Sequence, residues 1–209
     1  WGIRGQYGHE TGAMMAGVLI GFSLILTLCP QLSSLQAARA VALFTIGIGF
    51  GGQQTYGQVL GLMQDKELIG NYGFFAWGLL GTFVLGANWA GFGGLLFGIG
   101  LSSKRYSVLE MLFLCILMIA LIFAGHALLN LPFDPENRRL PFLYFSDNWS
   151  WKIRPEAVWK PRPEIWGGLL LAWLGLMAYV TFIKKDRLAR NIGFTGYIAG
   201  IGFPLGQLI

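Results

Sequence analysis

Charge is what this sequence is short of. Lysine, arginine, aspartate and glutamate make up 12% of its 209 residues, whereas a soluble domain carries about 25%, so an ordinary water-facing surface is excluded. Cysteine is scarcer still. Cys29 and Cys115 stand inside apolar runs without metal-type spacing, so both read as small buried residues and give no redox compartment. The sequence lacks GxxxxGK(S/T), HExxH, GxSxG and paired-cysteine motifs, which removes support from ATPase, zinc-protease and serine-hydrolase readings. It has neither a voltage-sensor arginine ladder nor a TVGYG filter. No cofactor and no metal is implied.

What is abundant is apolar surface and glycine. The chain is 55% hydrophobic with 31 glycines and a mean hydropathy of +0.57. Apolar stretches long enough to cross a hydrocarbon core of about 30 Å recur along it, so a cleavable signal peptide does not explain them. The expected fold is all-α: one polytopic helical bundle over residues 1–209, with about six spans near 12–29, 38–62, 72–101, 107–131, 165–183 and 190–209, because lipid leaves backbone groups no partner outside a helix. The third span is longer than a straight crossing needs and glycine-rich, which suits a tilt, a kink or a break. Residues 132–164 form the one sizeable polar segment. Prolines at 132, 135, 141, 155, 161 and 163 forbid a continuous helix there, and its Trp and Tyr residues suit a loop lying at the membrane interface or capping a cavity.

The net charge of +5 is small and carried by loops, which fits anionic lipid headgroups as partners and not nucleic acid. With six spans, Arg39, Lys104, Arg105, Lys184, Lys185, Arg187 and Arg190 share one side. The positive-inside rule makes that side cytoplasmic in a multi-pass protein of the cell's inner membrane.

Two stretches suggest an internal repeat: "ARAVALFTIGIGFGGQQ" from Ala38 and "ARNIGFTGYIAGIGFPLGQ" from Ala189. A third, "GIRGQYGH" at 2–9, resembles "GFGGQQTYGQ" at 49–58. The repeated spans run in the same direction, which implies parallel repeats. The sequence opens without Met and the motif is cut close at both ends, so the segment reads as part of a longer membrane protein. Further spans of that chain, or a homo-oligomer, would complete the assembly.

Glycines four apart, at 17 and 21, 57 and 61, 94 and 98, and 202 and 206, have the spacing that lets helix backbones approach closely. Polar residues inside the spans carry the functional reading. Gln53, Gln54, Tyr56 and Gln58 make "GGQQTYGQ" polar on more than one helix face, and Gln6 and Gln207 follow glycines in the related stretches. Membrane glutamines often only tie neighbouring helices together; three glycine–glutamine motifs on separate spans favour instead a site where unwound backbone and amides hold a solute. Arg4, His9 and Glu10 are its candidate ionisable or coupling groups, unless they lie at the interface, where charge costs little. Arg138 and Arg139 are candidates for binding an anionic headgroup, the alternative being a solvated salt-bridge cluster with Asp134 and Glu136.

The expected function is a transporter or permease-like protein for a small polar solute, since amides and hydroxyls suit neutral hydrogen-bonding molecules. One alternative is a membrane-embedded transferase or hydrolase for a lipid or lipid-linked substrate, with His9 or Glu10 as base and Arg4, Arg138 and Arg139 on the headgroup. A second is a non-catalytic scaffold whose glycines only pack against partner subunits.

Overall fold

A computed structural model describes residues 6–54, 57–64, 70–137, 139–146 and 162–208. Eight helices are described: α1 (His9–Leu28), α2 (Ser34–Gly51), α3 (Gly57–Gln64), α4 (Tyr72–Leu101), α5 (Val108–Leu129), α6 (Trp166–Ala178), α7 (Arg187–Ala199) and α8 (Gly202–Leu205), with α6 continuing as a π-helical turn over Tyr179–Ile183. Five are long and apolar enough to cross a membrane: α1, α2, α4, α5 and α6 with its π turn. Their outward faces carry Leu19, Leu26, Leu109, Leu112, Ile116 and Phe123, all exposed. A belt of that composition belongs against lipid and not water. Cys115 also faces outward on α5, so it is not the buried residue its apolar neighbours suggest.

Two of the six expected spans are interrupted. The second ends at Gly51, and the chain turns through Gly52, Gln53 and Gln54 before α3 begins. The last comprises the 13-residue α7 and the four-residue α8. Pro204 explains that break, because it has no N–H to offer the Gly200 carbonyl; the Phe203 amide bonds that carbonyl instead, at 3.1 Å. The third span, by contrast, is one unbroken helix of 30 residues, about 45 Å long at 1.5 Å per residue.

That helix, α4, is the axis of the bundle. A Cβ at Gly47 would lie 2.5 Å from the Phe92 carbonyl oxygen, and one at Gly100 would lie 2.5 Å from Ala40 Cα. On the opposite side, a Cβ at Gly94 would meet the Ile192 carbonyl oxygen at 2.7 Å and Gly196 Cα at 3.1 Å, and one at Gly98 would meet Ala189 Cα at 2.6 Å. The order of these pairs runs α2 and α7 antiparallel to α4, and so parallel to each other. Gly17 and Gly21 of α1 face Thr45 and Ile48, then Val41 and Phe44, of α2. Of the glycine pairs, 17/21 and 94/98 therefore pack helices as their spacing predicts, while Gly202 meets no described atom within 4 Å. Helices α5 and α6 form an antiparallel hairpin that approaches closely at Gly125 and Gly167, and Trp173 of α6 meets α4 at Gly91, where a Cβ would lie 2.9 Å from its Nε1, and stacks on Tyr197 of α7 at 4.2 Å.

One end of the bundle is fastened by charge. Lys184 Nζ lies 2.7 and 2.8 Å from the Glu110 oxygens, and Tyr179 Oη donates to the same carboxylate at 2.5 Å. Arg39 donates to the carbonyls of Gly100 and Ser102, both at 2.8 Å, closing the C-terminus of α4. Asp186 caps α7 through the Ala189 amide and accepts from Tyr106 Oη at 2.9 Å. Burial pushes the Asp186 carboxyl upward, but hydrogen bonds from Ser102, the Ala189 amide and Tyr106 outweigh it, and the net shift is downward.

Replacing Gly196 by leucine drives a side chain into the Ala90 carbonyl and Gly94. The expected loss is at least about 1–3 kcal/mol, the usual range for overpacking, seen as a lower melting temperature in detergent, whereas Gly202→Leu leaves it nearly unchanged.

Candidate functional site

The opposite end of the bundle holds the buried side-chain amides of Gln54, Asn88 and Asn130. There α2 and α5 end and α1 and α6 begin, while α4 runs on past them with α3 packed against it at Gly78; Asn88 lies about 20 Å along α4 from Leu101. The break after α2 is packed tightly. Gly51 sits against the Trp89 backbone, a Cβ at Gly52 would lie 2.5 Å from Ala13 Cβ, and Trp89 Nε1 donates to the Ile48 carbonyl at 2.6 Å. With the chain turned there, Gln54 points inward and is 2% exposed.

Gln54 Nε2 donates to the carbonyls of Gly51 and Leu85, at 3.1 and 3.2 Å. Its Oε1 accepts from Asn88 Nδ2 at 3.3 Å, and the same Asn88 nitrogen donates to the Trp166 carbonyl at 3.0 Å. Asn88 is fully buried. Next along α6, the Gly167 amide donates to Asn130 Oδ1 at 3.0 Å, so two side-chain amides tie the start of α6 to α4 and α5. Such bonds stand in for the water that helix ends otherwise need.

The polar loop supplies the charge. Tyr144, Phe145 and Ser146 are buried, so this part of the loop is tucked into the bundle end. Trp77 Nε1 donates to the Tyr144 carbonyl at 2.9 Å, and Phe145 packs between Trp77 and Trp166, with ring centroids 5.1 and 5.3 Å away. Glu164 accepts from the Phe145 amide at 2.9 Å, Ser146 Oγ at 3.0 Å and Trp166 Nε1 at 3.2 Å. Burial pushes its carboxyl up to about 7, against these three donors, which favour the ionised form. Gln53, Gln54, Leu85, Ser146, Pro163, Glu164, Ile165 and Trp166 line a cavity of about 80 Å³. That is room for a few water-sized groups.

This arrangement offers amide donors and acceptors, a serine hydroxyl and a carboxyl poised to gain or lose a proton near neutral pH. It can hold a small cation or a hydrogen-bonding molecule, or take a proton from one. Among the described residues no cluster of His, Cys, Asp and Glu suits a metal ion.

Of the residues singled out from the sequence, Gln53 and Gln54 line the cavity, with Gln53 exposed at its rim. Gln6, His9 and Glu10 are exposed around the start of α1, and the His9 carbonyl comes close to Gly52. Gln207 is half-buried after α8, whose Phe203 packs on Trp89. All three glycine–glutamine stretches are thus at the same end of the bundle, and among the described residues Gln54 is the fully buried glutamine. Arg139 is exposed and pairs through its backbone with Asp134 at 2.8 Å. Arg4, Tyr56, Arg138 and the side chain of Gln58 lie outside the described residues. Sequence reasoning missed Glu164 and undervalued Asn88. An asparagine in the middle of an apolar span was the available signal for Asn88, whereas Glu164 was hidden among the ordinary loop charges.

No protein-family model matches the chain, and no curated protein or solved structure does either.

Because the folded pKa of Glu164 lies above its usual value of 4.5, the folded protein binds the proton more tightly than the unfolded chain. The contribution of Glu164 to stability is therefore greatest in acid and falls as pH rises from about 4.5 to about 7. Melting temperatures of wild type and Glu164→Gln, compared from pH 5 to 8, should show the wild type losing ground to the variant across that window. A constant difference excludes the assignment. Asn88→Leu leaves Gln54 Oε1 and the Trp166 carbonyl without this donor, and is expected to destabilise by about 1–3 kcal/mol in equilibrium unfolding.

Proposed function

We propose that this chain is a multi-pass, transporter- or permease-like membrane protein for a small polar solute, with Gln54, Ser146 and Glu164 at its binding centre. The observation that carries the reading is the chain of buried hydrogen bonds from Gln54 through Asn88 to Trp166, set beside a cavity with one ionisable carboxyl. Helix glue accounts for the amides, and the three donors on Glu164 for its hold on the loop, but such a hold does not require an ionisable group, and an acid raised toward neutrality is a burden on the fold. The cavity volume favours a solute of only a few heavy atoms, and Glu164 favours one that is cationic or carries a proton donor. His9 and Glu10 then have the lesser role, of groups at the entrance.

The basic end formed by Arg39, Lys104, Arg105, Lys184, Lys185, Arg187 and Arg190 is the cytoplasmic one in this reading, by the positive-inside rule, and the membrane is the cell's inner membrane. Helices α2 and α7 are proposed as copies of one unit, supported by their shared sequence pattern and by their matching antiparallel contacts on the two sides of α4.

One observation favours the lipid-enzyme alternative. An apolar groove of about 320 Å³, lined by Asn71, Gly73, Phe74, Trp77 and Phe142, is separated from the polar cavity by the packed rings of Trp77 and Phe145. In that reading Glu164 is the general base and the groove takes an acyl chain.

Uptake of small cationic and neutral polar solutes into proteoliposomes distinguishes the two. Transport predicts uptake reduced at least about tenfold by Glu164→Gln and Gln54→Leu, and unchanged by Phe142→Ala at the groove. Loss of lipid turnover in detergent on Glu164→Gln and Phe142→Ala, with no uptake by the wild type, replaces it with the enzyme.

A further inference from the structure

We propose a second site, at the basic end: the groove between the end of α6 and the outer face of α7 binds an anionic phospholipid. Two open depressions, of about 360 and 490 Å³, share Thr181 and Arg190 and so form one continuous groove. Its first part is lined by Phe182, Lys185 and Arg187, its second by Met177, Asn191, Phe194 and Thr195.

The charges in it are not spent. Lys184, one residue before, is taken by Glu110 at 2.7 Å, whereas Lys185, Arg187 and Arg190 are exposed and form no ion pair with a described carboxylate. The one acid in the wall, Asp186, is 3% exposed and turned toward Tyr106 and the Ala189 amide. Arg190 is steadied by a neutral partner, Asn191 Oδ1, at 3.0 and 3.2 Å. Lys185 stands at a left-handed turn, φ 51°, which sets it apart from Lys184. Three cations thus face one buried, hydrogen-bonded acid, a balance that attracts a phosphate group.

The apolar part of the groove identifies the rest of the ligand. Phe182 is 72% and Phe194 55% exposed, and both lie beside the cations. A free phosphate would leave these rings uncovered. A phospholipid places its headgroup on Lys185, Arg187 and Arg190 and an acyl chain along Phe194 and Met177. The site does not depend on the reading of the polar cavity, which is at the other end of the bundle.

The test uses the full chain purified in detergent, with bound lipid measured by native mass spectrometry after adding phosphatidylglycerol, phosphatidylcholine or glycerol 1-phosphate. Phosphatidylglycerol is expected to be retained about tenfold or more over phosphatidylcholine. K185Q/R187Q/R190Q is expected to abolish that preference, and K104Q/R105Q, at the same end, to keep it. Equal retention of the two lipids by the wild type overturns the proposal and needs no variant to fold. So does an equal loss in both variants, which would indicate diffuse surface charge, or displacement of the lipid by glycerol 1-phosphate as readily as by more phosphatidylglycerol.

Discussion

The structure depends on one constraint: α4 must accept a helix backbone on each of two sides with almost nothing in between. Gly47 and Gly100 bring α2 to it, and Gly94, Gly98 and Gly196 bring α7. Within lipid there is no hydrophobic gain from pressing apolar side chains together, so association rests on close van der Waals contact and on hydrogen bonds. Glycine permits the first. Its cost in helix propensity falls on a helix surrounded by protein, where packing and not propensity decides.

Close packing also decides where polarity can go. Along the tightly packed length of α4 there is little room for a side chain with its own partners. The amides of Gln54, Asn88 and Asn130 accordingly gather where other helices start or stop and free backbone groups exist. At the other end, Glu110, Lys184, Asp186 and Arg39 fasten the connections between α4, α5, α6 and α7. The two ends differ in kind: among the described residues one is held by the Lys184–Glu110 ion pair and hydrogen bonds to charged side chains, the other by buried amide hydrogen bonds beside a cavity.

Much of the architecture was legible in the sequence. Five apolar runs long enough for lipid correspond to α1, α2, α4, α5 and α6, since length and hydropathy suffice where the solvent is a slab of fixed thickness. The interruptions were less visible. Gly51–Gly52 reads equally as a packing contact or a break, and only the tertiary fit against Trp89 and Ala13 decides it. Pro204 was a plain signal beside the Gly200 it disrupts, outweighed by the repeat it sits in. For the candidate site, Gln54 stood out as an amide in an apolar run. Glu164 did not, because a carboxylate beside prolines in a polar loop looks solvated, and nothing local says that Tyr144, Phe145 and Ser146 fold inward to cover it. Burial there is a long-range property.

That inward fold has a consequence of its own. Phe145 rests on Gly81, where a Cβ would lie 2.8 Å from its ring, while its amide holds Glu164. One residue therefore couples an aromatic contact to an acid: a shift of the Phe145 backbone would disturb the seat of its ring on Gly81 and weaken one of the donors that favour the ionised Glu164 carboxylate.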